Sequence, residues 1–350
     1  MKTINISASR DYDVIIGSGV LHSIGQHIKS LTRANKVCIV SDSNVFPHYG
    51  GAVRESLENA GLQVCQFVFP AGESSKNGQT YLDLLNFLAQ NRITRSDCII
   101  ALGGGVVGDL TGFAAATFLR GIDYIQIPTS LLAMVDSSVG GKTAIDLPAG
   151  KNLCGAFYQP RLVLCDIDAL NTLPEDVFRD GCAEVIKYGV LFDDKLFDHL
   201  VDKGIRFDRE DVIARCVELK RNVVAEDEFD TGLRMKLNFG HTIGHGIEAG
   251  SDFAVTHGKA VAIGMAIVAR SSAKNSLCSD ETAMQINNLL NDFGLPVKTD
   301  IDAETLLSAA LSDKKRSGGT VNLIIPRSIG QCDILPTPVD ALKSFIEAGL

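Results

Sequence analysis

The chain has 350 residues, of which 45% are apolar and 33 are glycine, and it carries a formal net charge of −9. Its length is enough for two domains of ~150 residues each, and its composition excludes a disordered chain or a fibrous repeat. The negative charge argues against nucleic acid or an anionic membrane surface as a general partner, and no run of about 18 apolar residues is present that could span a membrane.

Strand-like and helical patterns alternate through the first half of the chain. Strands are predicted at residues 3–7, 13–17, 36–41, 63–69, 97–102 and 124–127, with helices at 51–60, 80–91 and 110–118. Strands that alternate with helices favour a parallel sheet with helices on both faces. We therefore expect an α/β fold in which residues 1–173 form a Rossmann-like, nucleotide-binding domain.

The cysteines indicate the compartment in which the protein works. Cys38, Cys65, Cys98 and Cys165 lie in apolar, strand-like runs, and none of the nine cysteines belongs to a CxxC pair. This usage is typical of reduced, buried thiols and not of a disulfide framework. Residues 1–14 alternate polar and apolar side chains without the apolar core of a signal peptide. We therefore expect a cytoplasmic protein.

A glycine-rich turn follows the predicted strand at residues 97–102. Gly103, Gly105 and Gly108 satisfy the G-x-G-x-x-G pattern between a strand and a helix, where backbone N–H groups can approach a pyrophosphate. The turn lies near residue 103 and not in the first βα unit, so the connectivity differs from that of a standard dinucleotide-binding fold. Asp42 ends an earlier strand and could hold a ribose hydroxyl. The alternative is a tight strand–helix turn that binds no ligand.

Two further glycine-rich turns present lysines. The sequence Gly141-Lys142-Thr143 resembles the end of a P-loop, but Asp136 stands where that motif needs its first glycine, so a P-loop is rejected. Lys142 and Lys151 each follow a glycine and instead suggest a site for an oxyanion or a phosphate. From these residues alone, ordinary solvated lysines in a loop are the alternative.

Helical patterns dominate the second half of the chain. Helices are predicted at residues 174–188, 194–201, 209–224, 237–248, 258–274, 281–293, 303–311 and 338–347, with a small hairpin at 321–326 and 331–334. These periodicities predict a mainly α-helical domain over residues 174–350, which we expect to bind a metal and the substrate.

Histidines in this half indicate a metal site. His241 and His245 are spaced i,i+4, which places both imidazoles on one face of a helix. Together with His241, Glu184 and His257 would give a Glu/His/His set, which is the composition of a catalytic zinc site with an open position. The local alternative is His241, His245 and Glu248, and spacing alone does not decide between the two sets.

Basic residues lie in or beside these motifs although the chain as a whole is acidic. They are Arg120, Lys142, Lys151, Lys187, Lys220, Arg234 and the Lys314–Lys315 pair. An acidic protein that concentrates cations around its candidate site is expected to bind a small polyanion, and arginine together with lysine would suit carboxylate and phosphate groups. For any one of these residues, the alternative is a solvated surface charge.

The chain resembles the 3-dehydroquinate synthase family, within the sugar phosphate cyclase superfamily, over essentially its whole length. The segments that carry the resemblance are GGGVVGDLTGFAAATFLRG (103–121), IPTSLLAMVDSSVGGKTAID (127–146), GKNLCGAFYQP (150–160), GCAEVIKYG (181–189), LNFGHTIGHGIE (237–248), THGKAVAIGM (256–265) and DKK (313–315). Their number and their order make the resemblance specific.

This resemblance implies a reaction and its cofactors. The expected enzyme is a phosphorus–oxygen lyase that converts 3-deoxy-D-arabino-heptulosonate 7-phosphate to 3-dehydroquinate and phosphate in the shikimate pathway of aromatic amino acid and chorismate biosynthesis. It would use NAD and one divalent metal, Zn²⁺ or Co²⁺, and act as a homodimer. The implied steps are oxidation at C5 by NAD, β-elimination of phosphate, re-reduction, ring opening and an intramolecular aldol closure.

The resemblance also implies roles for individual residues. The metal ligands would be Glu184, His241 and His257. The NAD-binding residues would be Asp42, Glu73, Lys76, Gly104, Gly105, Val106, Asp109, Thr129, Ser130, Lys151 and Thr172. The substrate-binding residues would be Arg120, Asp136, Lys142, Asn152, Lys187, Lys220, Arg234, Asn238, His245 and one lysine of the Lys314–Lys315 pair. Of these, the expected catalytic residues are Lys142, Lys187, Lys220, Arg234, Asn238 and His245, and Arg120 would reach the substrate phosphate across the dimer interface.

Three other functions compete with this expectation. They are a related cyclase acting on sedoheptulose 7-phosphate or forming an aminocyclitol, a metal-dependent polyol dehydrogenase, and a non-enzymatic NAD-sensing protein. The presence of Lys220, Arg234, Asn238 and His245 favours a carboxylate-bearing substrate over the first. A dehydrogenase would release NADH in each turnover, and a sensor would release no phosphate.

Overall fold

The computed structural model describes residues 1–252, 254–314 and 319–350, except for the side chains of 309–314. Its strands are β1 (Lys2–Ile6), β2 (Tyr12–Gly17), β3 (Lys36–Asp42), β4 (Gln63–Phe69), β5 (Cys98–Gly103), β6 (Asp123–Pro128), β7 (Lys142–Leu147), β8 (Gly150–Phe157), β9 (Leu162–Asp166), β10 (Thr320–Ser328) and β11 (Gln331–Pro338). Its α-helices are α1 (Ile24–Leu31), α2 (Phe46–Asn59), α3 (Gly78–Gln90), α4 (Gly105–Thr117), α5 (Glu175–Phe192), α6 (Asp194–Lys203), α7 (Arg209–Glu226), α8 (His241–Gly250), α9 (His257–Lys274), α10 (Asp280–Asp292), α11 (Ala303–Lys314) and α12 (Val339–Gly349). None of the helices in the described ranges is long and apolar enough to cross a membrane.

These elements form two compact units, residues 1–173 with 209–229 and residues 174–208 with 230–350. The first unit contains a seven-stranded sheet in the order β1-β2-β9-β6-β5-β3-β4. The β1–β2 pair is antiparallel and every other neighbouring pair in the sheet is parallel. The predicted α/β class with a parallel sheet is therefore confirmed. The predicted strands and helices of this unit did not include the helix α1, the strand β9 or the antiparallel hairpin formed by β7 and β8.

Side chains of the central strands fill both faces of this sheet. Val37 and Ile39 of β3 pack in one core with α1 and α2, whereas Cys38 and Val40 pack on the opposite face with α3 and α4. All four side chains are fully buried, as expected for a strand covered by helices on both faces. Burial of each aliphatic side chain contributes about 1.5–3 kcal/mol, which makes the strand ends a rigid support for the loops that follow them.

The second unit is mainly helical, with one two-stranded sheet formed by β10 and β11. Helix α9 is its central helix, and most of its side chains are small and buried. Two glycines of α9 permit close approach to neighbouring segments. A Cβ atom on Gly258 would lie 2.0 Å from the carbonyl oxygen of Asp180, and one on Gly264 would lie 2.0 Å from the carbonyl oxygen of Gly240. Asp180 belongs to α5 and Gly240 precedes α8, so α9 lies against both of these helices.

Candidate active site

Three helices of the second unit bring one carboxylate and two imidazoles together. Glu184 lies in α5, His241 is the first residue of α8, and His257 is the first residue of α9. The Glu184 Oε1 atom lies 3.4 Å from His241 Nε2 and 3.5 Å from His257 Nε2. These are the three residues that the resemblance assigns to the metal, and their ligand atoms are close enough together to hold one ion.

Each imidazole ring is held through its other nitrogen. His241 Nδ1 lies 3.2 Å from the backbone oxygen of Phe239, and His257 Nδ1 lies 3.3 Å from Glu248 Oε2. A proton on Nδ1 would donate to these acceptors and leave the Nε2 lone pair of each ring directed at Glu184. This is the arrangement in which protein imidazoles bind metals, because the bond at one nitrogen fixes the tautomer at the other.

The chemistry of the donor set fits a divalent metal ion. Glu184 is fully buried, and its Oε1 atom accepts no hydrogen bond from the described residues. A buried carboxylate oxygen is costly unless it is compensated, and a cation between it and the two imidazoles would compensate it. Two imidazole nitrogens and one carboxylate oxygen form a common ligand set of zinc in catalytic sites.

The electrostatics of the two imidazoles differ. Burial, together with the positive charge of Lys187, lowers the pKa of His241 well below its usual range, so its ring is neutral and able to bind a cation. Burial also disfavours a charged His257, but the adjacent carboxylates of Glu184 and Glu248 outweigh this effect and raise the pKa of His257 to about 10.

Asp180 links the ligand-bearing helices α5 and α9. It lies one helical turn before Glu184, and its carboxylate accepts hydrogen bonds from the backbone N–H groups of Gly258 (3.1 Å) and Lys259 (3.0 Å) and from the hydroxyl of Thr256. The side chain of Thr256, the N-cap residue of α9, does not cap the helix itself. Asp180 therefore acts as the cap from a different helix. Sequence reasoning missed this role, and the only signal for it was the i,i+4 spacing to Glu184.

A second cluster of possible ligand atoms consists of His245, Glu248 and His257. The local set considered from the sequence, His241 with His245 and Glu248, is not among the clusters that the described residues form. His245 is exposed, and its ring centroid lies 5.6 Å from that of His241. The structure therefore separates the two histidines of the i,i+4 pair: His241 faces Glu184, whereas His245 lies at the open side of the cluster.

Several predicted cationic residues of the second unit are buried. Lys187 is 1% exposed and its Nζ forms an ion pair with Glu184 Oε2. Arg234 is 2% exposed and begins, with Leu233, the short 3-10 helix that ends at Asn238. Buried cations are rare in proteins unless a carboxylate or a ligand balances them. The Lys314 side chain and the whole of Lys315 lie outside the described residues.

In the first unit, the predicted glycine turn lies between β5 and α4. The strand ends at Gly103 and the helix begins at Gly105, so α4 starts within the glycine motif and not after it. A Cβ on Gly105 would lie 3.3 Å from Ser137 Oγ, which is a tight contact, whereas one on Gly104 would make an ordinary contact of 3.4 Å with Ser130 Oγ. The backbone N–H groups of the first turn of α4 have no helical partner and can bind a phosphate.

Four of the predicted NAD-binding residues form one charged network. Lys76 is 4% exposed, and its Nζ lies 2.6 Å from Asp109 Oδ2, 2.6 Å from Asn152 Oδ1 and 3.8 Å from Glu73 Oε1. Lys151 lies 3.9 Å from the same oxygen of Glu73. Burial raises the pKa of Asp109 despite the opposing charge of Lys76. The network joins the segment before α3, which holds Glu73 and Lys76, and helix α4 to the β7–β8 hairpin, because Asn152 belongs to β8.

Three further predicted NAD-binding residues lie at strand ends, whereas Thr172 follows the short 3-10 helix Ile167–Asn171. Asp42 ends β3, and its Oδ1 atom accepts hydrogen bonds from the backbone N–H groups of Asn44 and Val45. Thr129 and Ser130 follow β6, and Thr172 contacts the hydroxyl of Tyr49. The side chains of Asp42 and Thr172 thus also have structural partners, which the sequence did not indicate.

Asp136 and Lys220 form a second buried pair in the first unit. Lys220 is 5% exposed and donates to the backbone oxygen of Asp136 at 2.7 Å and to its carboxylate. Asp136 lies in a π-helical turn, Ala133–Ser137. This conformation is rare in proteins overall but is often found at functional sites. Lys142, the first residue of β7, is exposed.

Comparison with known proteins identifies sequence relatives over nearly the whole chain. A family model described as 3-dehydroquinate synthase N-terminal matches residues 66–180, and one described as 3-dehydroquinate synthase C-terminal matches residues 181–316. A 3-dehydroquinate synthase of Pelobacter propionicus is 47% identical over 98% of each chain. One from Clostridium botulinum is 44% identical over 95% of this chain and 97% of its own.

Solved structures show the same fold. A 2-deoxy-scyllo-inosose synthase complexed with carbaglucose-6-phosphate, NAD⁺ and Co²⁺ superposes with a TM-score of 0.90 at 27% identity over 100% of both chains. A 2-epi-5-epi-valiolone synthase from Streptomyces hygroscopicus with NAD⁺ and Zn²⁺ bound gives a TM-score of 0.90 at 25% identity over 99% of this chain and 97% of its own. An iron-containing alcohol dehydrogenase, with a TM-score of 0.71 at 14% identity over 99% of both chains, shares the fold alone.

Proposed function

The chain belongs to the 3-dehydroquinate synthase family, and from this premise we propose how its residues carry out the reaction of that family. It converts 3-deoxy-D-arabino-heptulosonate 7-phosphate to 3-dehydroquinate and phosphate, with NAD and a divalent metal ion as cofactors. The observation that carries the proposal is the convergence of Glu184, His241 and His257 on one point, each through an atom that can bind a divalent metal.

We assign Glu184, His241 and His257 as the ligands of Zn²⁺ or Co²⁺. When bound, the metal polarises substrate hydroxyl groups, and NAD accepts a hydride from the substrate and returns it later in the same cycle. Glu184 supplies the negative charge of the ligand set. The ring of His241 is neutral, so the lone pair of its Nε2 atom is available to the metal. The open side of this set, where His245 lies, is the proposed place for substrate.

Buried cations hold the charges of the substrate. Lys187 and Arg234 in the second unit, and Lys220 in the first, are each at most 5% exposed. Cations fixed in a desolvated site stabilise developing negative charge without reorganising, which favours departure of a phosphate group. We assign the same role of binding and orienting substrate to Asp136, Lys142, Asn152, Asn238 and His245, and to one lysine of the Lys314–Lys315 pair.

The first unit holds NAD in this proposal. The N–H groups at the start of α4, in Gly105 and Val106, would bind the pyrophosphate, with Gly104 leaving room for it. Through Lys76, the network connects Asp109 in the first turns of α4 to Asn152 of β8. The other proposed NAD contacts are Asp42, Glu73, Asp109, Thr129, Ser130, Lys151 and Thr172.

Phosphate release from the heptulosonate phosphate tests the function. Purified enzyme supplied with NAD and Co²⁺ should release phosphate, and a strong chelator should stop this release until metal is added back. The Glu184→Gln variant should lose both bound metal and activity. If that variant keeps its metal content, the ligand assignment is wrong. Steady accumulation of NADH with simple polyols as substrates would favour a dehydrogenase instead.

We also propose that the enzyme is a homodimer in which Arg120 acts across the interface. Arg120 is exposed and adopts a left-handed backbone conformation with φ of 68°, directly after Leu119 with φ of 52°. Two consecutive non-glycine residues in this region are strained, and such strain is concentrated at functional sites. Leu119 and, in the β7–β8 hairpin, Leu153 and Phe157 are exposed apolar side chains that a partner could cover.

A complementation experiment tests this arrangement. Arg120→Ala and Glu184→Gln are each expected to be inactive alone. If Arg120 serves the partner's site, a mixed dimer has one complete site, so an equimolar, fully exchanged mixture should recover about one quarter of the parent activity. If the arginine serves its own protomer, the mixture stays inactive. Light scattering on the same samples measures the oligomeric state, and a monomer would contradict the proposal.

Finally, we propose a cytoplasmic location. All nine cysteines are free, and six of them are buried. Burial raises the pKa of the Cys332 thiol to about 12 and of the Cys98, Cys165 and Cys182 thiols higher still, which keeps them protonated and unreactive. A chain with this many reduced thiols suits a reducing compartment. Fractionation of the native cells, with the protein found outside the cytosolic fraction, would contradict the proposal.

A further inference from the structure

Glu248 has no assigned role in the reaction, although it contacts a proposed metal ligand. It lies on α8, seven residues after His241, and is 4% exposed. Its Oε2 atom lies 3.3 Å from His257 Nδ1. We propose that Glu248 is a positioning residue of the metal centre, whose carboxylate accepts the Nδ1–H of His257 and holds the ring with Nε2 directed at Glu184. This inference rests on the proposed function, because it presupposes the metal centre.

Packing alone holds His257 less firmly than its two companions. Its side chain is 35% exposed, compared with 13% for His241 and 1% for Glu184. His257 and His241 are both the first residues of their helices, so the greater exposure of His257, and not its place in the helix, distinguishes the two rings. A rotation of the ring about its Cβ–Cγ bond would exchange the positions of carbon and nitrogen atoms and remove Nε2 from the site. A fixed acceptor at Nδ1 opposes that rotation.

The backbone of α8 places Glu248 where it can serve this purpose. His241, Gly244 and Glu248 lie at positions i, i+3 and i+7, which share one face of a helix. Gly244 shows that this face packs on α9, because a Cβ atom there would lie 3.1 Å from the backbone oxygen of Ala260. One helix face therefore supplies a metal ligand, the close contact with α9, and the acceptor for the ligand on α9.

The two histidines have different hydrogen-bond acceptors at Nδ1. His241 uses the backbone oxygen of Phe239 as its Nδ1 acceptor, at 3.2 Å. His257 uses the carboxylate of Glu248, which is both an acceptor and a negative charge. Hydrogen bonds to a charged acceptor are roughly twice as strong as those between neutral groups. Loss of such a partner of a metal-binding histidine typically weakens metal binding by about 10–100-fold.

Two other roles for Glu248 make different predictions. As a simple ion-pair partner of a protonated His257, Glu248 would stabilise the metal-free fold, so its replacement would leave metal affinity unchanged or increase it. As a metal ligand, within the cluster of His245, Glu248 and His257, it would be as necessary for binding as Glu184 is. Measurement of metal affinity on graded substitutions separates the three roles.

The experiment is a Co²⁺ titration of the metal-stripped full-length enzyme, followed by the visible absorption of the bound ion. Glu248→Ala should weaken Co²⁺ binding by about 10–100-fold. Glu248→Gln keeps an acceptor oxygen without the charge and should weaken it by only about threefold to tenfold. Asp193→Ala is the matched control, because Asp193 is another buried carboxylate of the same unit, and caps α6 through the N–H of Leu196. This control should lower the melting temperature and leave Co²⁺ affinity unchanged.

Each outcome decides a different question. A dissociation constant within twofold of the parent value or below it, in either Glu248 variant that folds, overturns the inference. Complete loss of Co²⁺ binding in Glu248→Gln, as in Glu184→Gln, also overturns it by making Glu248 a ligand. Graded weakening with an unchanged control supports it. If the parent enzyme binds no Co²⁺, it is the proposed metal centre itself that fails.

Discussion

Replacement of Asp180 by alanine should detach the start of α9 from α5. The carboxylate accepts two backbone N–H groups, of Gly258 and Lys259, and the hydroxyl of Thr256. Loss of an N-cap acceptor costs about 0.5–2 kcal/mol, and loss of a negative charge at a helix N-terminus costs a further 0.3–1 kcal/mol or so. The free energy of unfolding should therefore fall by about 1–3 kcal/mol.

The substitution to asparagine removes part of this interaction. Asp180→Asn keeps one acceptor oxygen, enough for Lys259 and Thr256, but it loses the charge and the oxygen that accepts from Gly258, so its cost should be about 0.5–2 kcal/mol and smaller than that of alanine. Urea unfolding of the metal-free protein, followed by circular dichroism, measures both variants without a contribution from metal binding. Asp198→Ala is the control, since Asp198 is an exposed acid of α6 and its loss should change stability by less than about 0.5 kcal/mol. If Asp180→Ala is no more destabilising than this control, the capping role is refuted.

Three further predictions follow from packing, charge and metal binding. Gly264→Ala would place a Cβ 2.0 Å from the backbone oxygen of Gly240 and should destabilise the fold by about 3 kcal/mol or more in the urea unfolding assay. Gly51→Ala, in an open part of α2, should instead stabilise the fold by about 0.5–1 kcal/mol in the same assay. Similar effects of the two substitutions would contradict the close helix contact. Lys76→Met leaves the Asp109 carboxylate without its cation, so it should reduce the free energy of unfolding by about 1–3 kcal/mol. It should also weaken NAD binding measured by calorimetry, and an NAD affinity equal to that of the parent would show that Lys76 does not belong to the NAD site. When the free metal concentration is 100 times the dissociation constant, removal of the metal should lower the free energy of unfolding by about 2.7 kcal/mol. An unchanged melting temperature would exclude a metal that binds only the folded state.

The sequence was informative where local patterns determine structure. Apolar runs such as residues 36–41 and 97–102 became the buried strands β3 and β5, because burial on both faces of a sheet demands continuous apolar side chains. The hairpin of β7 and β8 was missed because its glycines, among them Gly141 and Gly150, were interpreted as loop signals. Both glycines adopt positive φ angles at strand starts, so the turns were real but the strands between them were not detected.

The candidate site illustrates a different limit. Helical spacing placed His241 and His245 on one face, but spacing could not say which of them faces Glu184, since that depends on how α5 and α9 pack against α8. The partners that hold the ligands were not recognised from the sequence either. Asp180 contacts residues that lie 76 to 79 positions further along the chain, and Glu248 contacts a residue 9 positions further along. No local sequence pattern encodes such contacts.

The most direct test follows three quantities in one reaction of the metal-loaded enzyme with 3-deoxy-D-arabino-heptulosonate 7-phosphate and NAD. These are the phosphate released, the 3-dehydroquinate formed and the absorbance of NADH. We expect equal amounts of phosphate and 3-dehydroquinate, no net NADH, and loss of both products in Glu184→Gln. Absence of phosphate release from the metal-loaded parent enzyme, or NADH that accumulates in step with turnover, would contradict it.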